Sequence, residues 1–257
     1  MKDIASLEDL GQALLTGRIR VVDCTATLGP RTPLLKLPPE IADDTPPIEI
    51  HPISKYGDRG PFWAWNWLKV GEHSGTHFDA PHHWITGKDY PDGSTDTIAP
   101  QNFVAPANVI DCSAQAAADP DFLLTAEGVK AWEAEHGEIG EGEWVLMRTD
   151  WCKRNGDAAL YLNADETGPH TPGPSADCIQ YLMDKKVLGW GTDAGIAGGM
   201  TPPYPAHNLL HANNRYGLAS LVNLSELPPK GAILIAAPLK IENGTGSPIR
   251  ALVLVPA

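Results

Sequence analysis

The chain has 257 residues, 42% of them apolar and 20% charged, an ordinary globular composition that excludes disordered and collagen-like chains. Lys plus Arg number 19 against 32 Asp plus Glu, a formal charge of −13 with no basic cluster, which argues against a nucleic-acid partner and against an anionic membrane surface. One core suffices at this length, and no repeat, low-complexity tract or linker divides the chain, so a single domain over residues 1–257 is expected.

Ser6 to Leu15 reads as a first helix, capped by Ser6 and stopped near Gly17. Arg20 to Thr25 reads as a strand, and the Pro-rich stretch from Pro30 to Pro47 as an irregular loop. In Phe62 to Val70, Trp63, Trp65 and Trp67 share one parity, which predicts a strand with an aromatic face. That face either walls a pocket or packs in the core. Val104 to Asp111 predicts a strand whose Pro106 belongs at a sheet edge. Thr125 caps a helix that runs to His136 and closes at Gly137. Trp144 to Arg148 reads as a buried strand. Ser175 opens a helix to Lys186, followed by a short strand from Val187 to Trp190. Gly189 to Gly195 matches neither the dinucleotide nor the P-loop spacing and reads as a tight strand end. Three strand-like runs, Gly217 to Leu224, Ala232 to Leu239 and Ile249 to Val255, complete an α/β or α+β pattern.

The four cysteines, at 24, 112, 152 and 178, form no CxxC pair, which excludes Cys-rich zinc modules and fits free thiols in a reducing compartment. The N-terminus lacks the apolar stretch of a signal peptide. The longest apolar run, Ile233 to Leu239, is far short of the ~20 residues that span a bilayer. A cytoplasmic protein is the expectation.

The chemistry concentrates in His-Ser-Gly-Thr-His-Phe-Asp-Ala-Pro-His-His-Trp, residues 73 to 84, which hold four of the nine histidines in twelve positions. His73, His77 and Asp79 supply two imidazoles and a carboxylate, a set that suits a divalent ion with open coordination positions. A straight strand would hold His73 and His77 ~13 Å apart, so a bend at Gly75 is required for both to reach one ion. Gly75 and Pro81 argue against a helical His pair, leaving the metal reading ahead of a structural one. His207 and His211, four apart, serve either as further site residues or as packing. No Gly-x-Ser-x-Gly elbow supports a serine hydrolase.

His73-Ser-Gly-Thr-His77-Phe-Asp79-Ala-Pro-His-His83 resembles the HxGTHxDxPxH signature of the cyclase family of metal-dependent hydrolases, which includes kynurenine formamidases and isatin hydrolases. Val22 to Leu28 with the Pro-rich sequence after it resembles the family's opening strand. His207 to Leu224 resembles its late helix-strand segment, and the isatin hydrolase branch is the nearer pattern. The resemblance implies a swivelling β/β/α fold, with mixed sheets and a few flanking helices, and a homodimer or higher oligomer. It places His73, His77 and Asp79 on metal ligands, His83 on the catalytic histidine and His211 near a proton-transfer histidine. A second metal in the formamidases needs a Glu twelve residues after a later His; from His207 that position is Ala219, so one metal per chain is implied, Mn2+ favoured over Zn2+. Gly189 to Gly195 looks shorter than the family pattern.

The expected activity is hydrolysis of a cyclic amide, isatin-like, with formamidase chemistry as the alternative. The ion would activate water, and His83 would move protons near neutrality. Phe62, Trp63, Trp84 and His207 would line the pocket of a small, aromatic substrate. Two His and one carboxylate also describe a non-haem Fe(II) oxygenase, and an enzyme-inactive metal-binding protein is a third class.

Overall fold

A computed structural model describes residues 6–35, 43–57, 59–84, 86–166, 168–194 and 204–257. The strands are β1 (Ile19–Asp23), β2 (Glu49–Gly57), β3 (Gly60–Lys69), β4 (His77–Asp79), β5 (Val104–Asp111), β6 (Leu123–Leu124), β7 (Trp144–Arg148), β8 (Ala164–Asp165), β9 (Gly168–Pro169), β10 (Gly173–Pro174), β11 (Gly189–Thr192), β12 (Tyr216–Ala219), β13 (Ala232–Ile235), β14 (Gly246–Pro248) and β15 (Leu252–Pro256). The α-helices are α1 (Leu7–Leu15), α2 (Ser113–Ala118), α3 (Ala126–His136), α4 (Ala158–Leu162), α5 (Ala176–Asp184) and α6 (Pro205–Ala212).

Nine strands join in one curled mixed sheet, ordered β1-β15-β13-β5-β7-β11-β12-β4-β14. Its middle, β5, β7, β11 and β12, is parallel, because α3, α5 and α6 carry the chain back across one face. The parallel strands are buried on both sides, so β7 reads as a continuous apolar run rather than an alternation. Trp144 and Leu146 enter one core cluster with Phe78, Leu218, Leu234 and Val253. Val145 and Met147 enter the other with Val129, Ile179, Leu182 and Leu210 of the covering helices.

The helix signals are local and direct. Ser6 Oγ accepts from Asp9 N, Thr125 Oγ1 from Gly128 N and Ser175 Oγ from Cys178 N, each satisfying a backbone donor that the first turn leaves unpaired. Gly137 stands at φ +89 after α3, a conformation costly for residues with a Cβ.

Three expectations are corrected. Pro106 is not on an edge strand, since β5 pairs with both β13 and β7. Its missing N–H is harmless because pairing with β7 begins only at Ala107, so Pro106 has a neighbour on one side. The Trp63, Trp65 and Trp67 strand is neither core nor attached to the large sheet: β2 and β3 form a separate two-stranded sheet, and all of β3 after Gly60 is exposed. The run from Gly217 to Leu224 is a strand only as far as Ala219, because Ser220 and Asn223 take positive φ.

In the Gly189 to Gly195 stretch, β11 ends at Thr192 and the buried Asp193 follows; Gly195, like residues 36–42 of the Pro-rich loop, lies outside the described residues. Asp193 Oδ1 accepts from the N–H of Thr149 at 2.8 Å and from its hydroxyl, while Oδ2 is buried with no hydrogen-bond partner among the described residues. Burial pushes its carboxyl up to about 6 despite those donors.

Candidate metal centre

The centre grows from β4, three residues long, and the turns on either side. Across the ladders, Asp79 faces Gly217 on one side and Gly246 on the other, and His77 faces Ala219 and Pro248. His77 and Asp79 share one face by strand alternation, while Phe78 points oppositely into the core. The glycines make the room: a Cβ on Gly217 would press on the Asp79 carboxylate, and one on Gly246 would overlap the His73 ring.

Gly75 takes φ +60 and turns the chain, so that the His73 and His77 rings stand 5.3 Å apart. Thr76 holds the bend, donating to the Ser220 carbonyl at 2.6 Å and accepting from Ala26 N–H at 2.9 Å. Beyond Asp79, Pro81 opens a single 3-10 turn. The His83 N–H donates to the Ala80 carbonyl at 2.9 Å, and the turn lays the His83 ring on His73 with centroids 3.8 Å apart.

Asp79 Oδ1 is the focus, 2.7 Å from His73 Nδ1 and 3.3 Å from His77 Nε2. Donors around one ion at ~2.1 Å stand about 3 Å from one another, so the spacing suits a cation. His77 Nδ1 lies 2.7 Å from the Gly75 carbonyl; a carbonyl only accepts, so Nδ1 carries a proton and Nε2 is the atom free to ligate. His73, Asp79 and His83 also offer ligand atoms within 4.8 Å of one another. Four side chains can therefore contribute, and mutual proximity alone selects His83 where the tautomer and aim toward Asp79 select His77.

Charge follows this geometry. Burial pushes the Asp79 carboxyl up, yet the His77 charge and the hydrogen bonds from His73 and His77 hold it well below the usual carboxylate range. Burial pulls His77 down, but the Asp79 carboxylate and the Gly75 carbonyl raise it above an ordinary imidazole. A proton thus sits where a cation would, and the two compete. Burial drives His83 down to about 3 and His211 down to about 4, and lowers His207, so neutral imidazoles surround the acidic focus.

Helix α6 supplies the far wall. Tyr204 in the left-handed conformation precedes Pro205 at the first helical position, where proline's fixed φ suits a helix start. His207 and His211 lie one turn apart, their rings 5.7 and 6.0 Å from His83. His211 Nδ1–H donates to the Arg215 carbonyl at 3.1 Å, leaving Nε2 buried with no hydrogen-bond partner among the described residues. Trp84 stacks on His207 at 4.8 Å, and Tyr204 meets Trp84 edge-on at 5.7 Å. A cavity of about 790 Å3 opens along His82, His83, Trp84 and Lys88.

The fold brings His73, His77, Asp79, His83, Trp84, His207 and His211 together. Among the described residues, no ring contact joins Phe62 or Trp63 to them; both lie exposed on the hairpin, Phe62 at 85%. Sequence reasoning missed Tyr204, although Tyr204-Pro205 is a helix-start signal. It also missed Glu72 and Thr245, whose hydroxyl lies 3.0 Å from His73 Nε2. Thr245 is 172 residues from His73, and no local pattern links them.

The Cyclase family model matches residues 22–196. An isatin hydrolase of Roseibium aggregatum is 69% identical over 257 residues, covering 98% of each chain. A kynurenine formamidase of Salinibacter ruber is 31% identical over 188 residues, covering 72% of this chain and 77% of that one. The crystal structure of an isatin hydrolase bound to the product analogue thioisatinate superposes with a TM-score of 0.96 at 66% identity, covering all of both chains. The chain belongs to the cyclase family, and its fold is that of the family's isatin hydrolases.

Proposed function

We propose that this protein is a metal-dependent hydrolase that opens the ring amide of isatin, using one divalent ion held by His73, His77 and Asp79. The observation that carries the site is the convergence of His73 Nδ1 and His77 Nε2 on Asp79 Oδ1, and the identity of 69% along the whole chain to an isatin hydrolase supports the substrate. An ion held by His73, His77 and Asp79 would supply an acidified water and a Lewis acid for the amide carbonyl. Hydrolysis adds oxygen to the carbonyl carbon, breaks the C–N bond and needs a proton delivered to the leaving nitrogen. His83, neutral and beside His73, is placed to take the water's proton and return it to that nitrogen. Trp84, backed by His207 and Tyr204, offers a flat apolar face to a bicyclic aromatic substrate. The donor set accepts both Mn2+ and Zn2+, with Mn2+ the first choice.

Ala219 lies directly opposite His77 in the β12–β4 ladder, beside the ion site, and its methyl group cannot ligate. That supports one ion rather than two and ranks formamidase chemistry second. The exposed aromatic hairpin supports a homodimer, because an isolated two-stranded sheet is marginal in water and exposed apolar patches mark interfaces. Four unpaired cysteines, three of them buried, support a reducing, cytoplasmic setting, and no helix among the described residues is long and apolar enough to cross a membrane.

The test is chelator-stripped protein reloaded with Mn2+ or Zn2+ and given isatin or an N-formyl aromatic amine. Metal-dependent loss of isatin, with the formamide turned over slowly or not at all, is expected. Equal turnover by stripped protein, or none with either metal, would overturn the reading.

A further inference from the structure

The atom by which His73 can ligate is decided two residues away from it in space. Glu72 Oε2 accepts from the Thr245 backbone N–H at 3.2 Å, and an N–H can only donate, so this oxygen is an acceptor. The Thr245 hydroxyl lies 2.6 Å from the same Oε2. Its single proton therefore goes to Glu72, and toward His73 Nε2, 3.0 Å away, Thr245 Oγ1 presents only lone pairs. His73 must donate from Nε2. Nδ1 donates to the Asp79 carboxylate oxygen 2.7 Å away, and because Nε2 keeps its own proton, Nδ1 is the nitrogen that would exchange its proton for an ion.

From this hydrogen-bond order we infer that Glu72 and Thr245 are positioning residues that set the His73 tautomer for Nδ1 ligation, an assignment that rests on His73 being a ligand. Without the Glu72 acceptor the hydroxyl is free to donate to Nε2. That would let Nε2 shed its proton and keep the Nδ1–H aimed at the ion site. The pair also couples the site to β14: Thr245 precedes Gly246, which faces Asp79 across the β14–β4 ladder and has no side chain to displace the His73 ring. One short segment thus clears space for the ring and orients it. Partners behind a metal-binding histidine typically change metal affinity about 10- to 100-fold when removed.

The experiment compares Thr245→Val, Thr245→Ser, Glu72→Ala and Glu72→Gln with wild type after metal removal. Mn2+ affinity is measured by calorimetry, and the His73 ring nitrogens are read by 15N NMR of the protein loaded with diamagnetic Zn2+. Thr245→Val is nearly isosteric and removes only the hydroxyl; Thr245→Ser restores it, and Glu72→Gln keeps an acceptor oxygen. Affinity should fall about 10- to 100-fold in Thr245→Val and Glu72→Ala and stay within a few-fold of wild type in the two conservative variants. The wild-type spectrum should show the Nε2–H tautomer. Wild-type affinity in Thr245→Val, or an Nδ1–H tautomer in the wild type, overturns the inference. Wild-type protein that takes up neither Mn2+ nor Zn2+ would instead sink the metal reading of the site, whereas a loaded protein with the His73 proton on Nδ1 would sink the tautomer assignment alone.

Discussion

Two strands of this protein invert the usual link between sequence signal and importance. Strand β3 has ten residues and a strong aromatic pattern, yet after Gly60 all of it is exposed and, among the described residues, its only ladder partner is β2. Strand β4 has three residues, all buried, is bonded on both sides and carries His77 and Asp79. A long β pattern reports a surface that wants covering, not which surface covers it. A short strand gains its meaning from its neighbours, here Gly217, Ala219 and Gly246, which leave space for ligands instead of packing atoms.

The sharpest way to test that contrast is to strike β4. Asp79→Ala removes the oxygen on which both histidines converge, and we expect metal content per chain to fall to near zero and turnover by at least ~10^3-fold, because removal of the ion takes away the activated water. His83→Ala should keep the metal and lose about 10^2- to 10^4-fold in turnover, the usual range for one acid–base group. Elemental analysis beside kinetics separates the two, and metal loss in His83→Ala would make His83 a ligand.

A smaller effect lies at the end of β11. The Asp193 carboxyl is raised to about 6 by burial, so the folded state holds a proton that the unfolded chain releases near pH 4. Its contribution to stability is therefore complete below that pH and is lost as pH rises toward 6. Asp193→Asn keeps an acceptor oxygen for Thr149 and removes the charge. The variant should gain on wild type between pH 4 and pH 7, by up to about 3 kcal/mol at ~1.4 kcal/mol per pKa unit, read from urea midpoints. A difference that is constant with pH would show that Asp193 does not titrate there.

The smallest expected effect on the site itself comes from β3. Trp63→Ser with Trp65→Ser and Trp67→Ser should leave Mn2+ binding within a few-fold of wild type and reduce the mass in solution from dimer to monomer by light scattering. An unchanged mass would remove the hairpin from the interface; lost metal would show that the two strands are not independent.

Much of the molecule was legible along the chain. The capped helices at Ser6, Thr125 and Ser175 and the buried run of β7 are determined by groups a few residues apart, and so fold as they read. The twelve-residue histidine segment carried its own chemistry, and Gly75 carried the bend that this chemistry demands. What needed tertiary structure was everything set by closeness between distant segments. The sheet order puts Ala219 opposite His77, the curl of the chain lays α6 against His83, and Thr245 crosses 172 residues to meet His73. Residue types and local spacing determine which donors exist and how the nearby backbone turns. Which ring nitrogen faces Asp79, and which strand is left uncovered, depend on hydrogen bonds and contacts between segments that sequence order does not bring together, and only the folded sheet decides them.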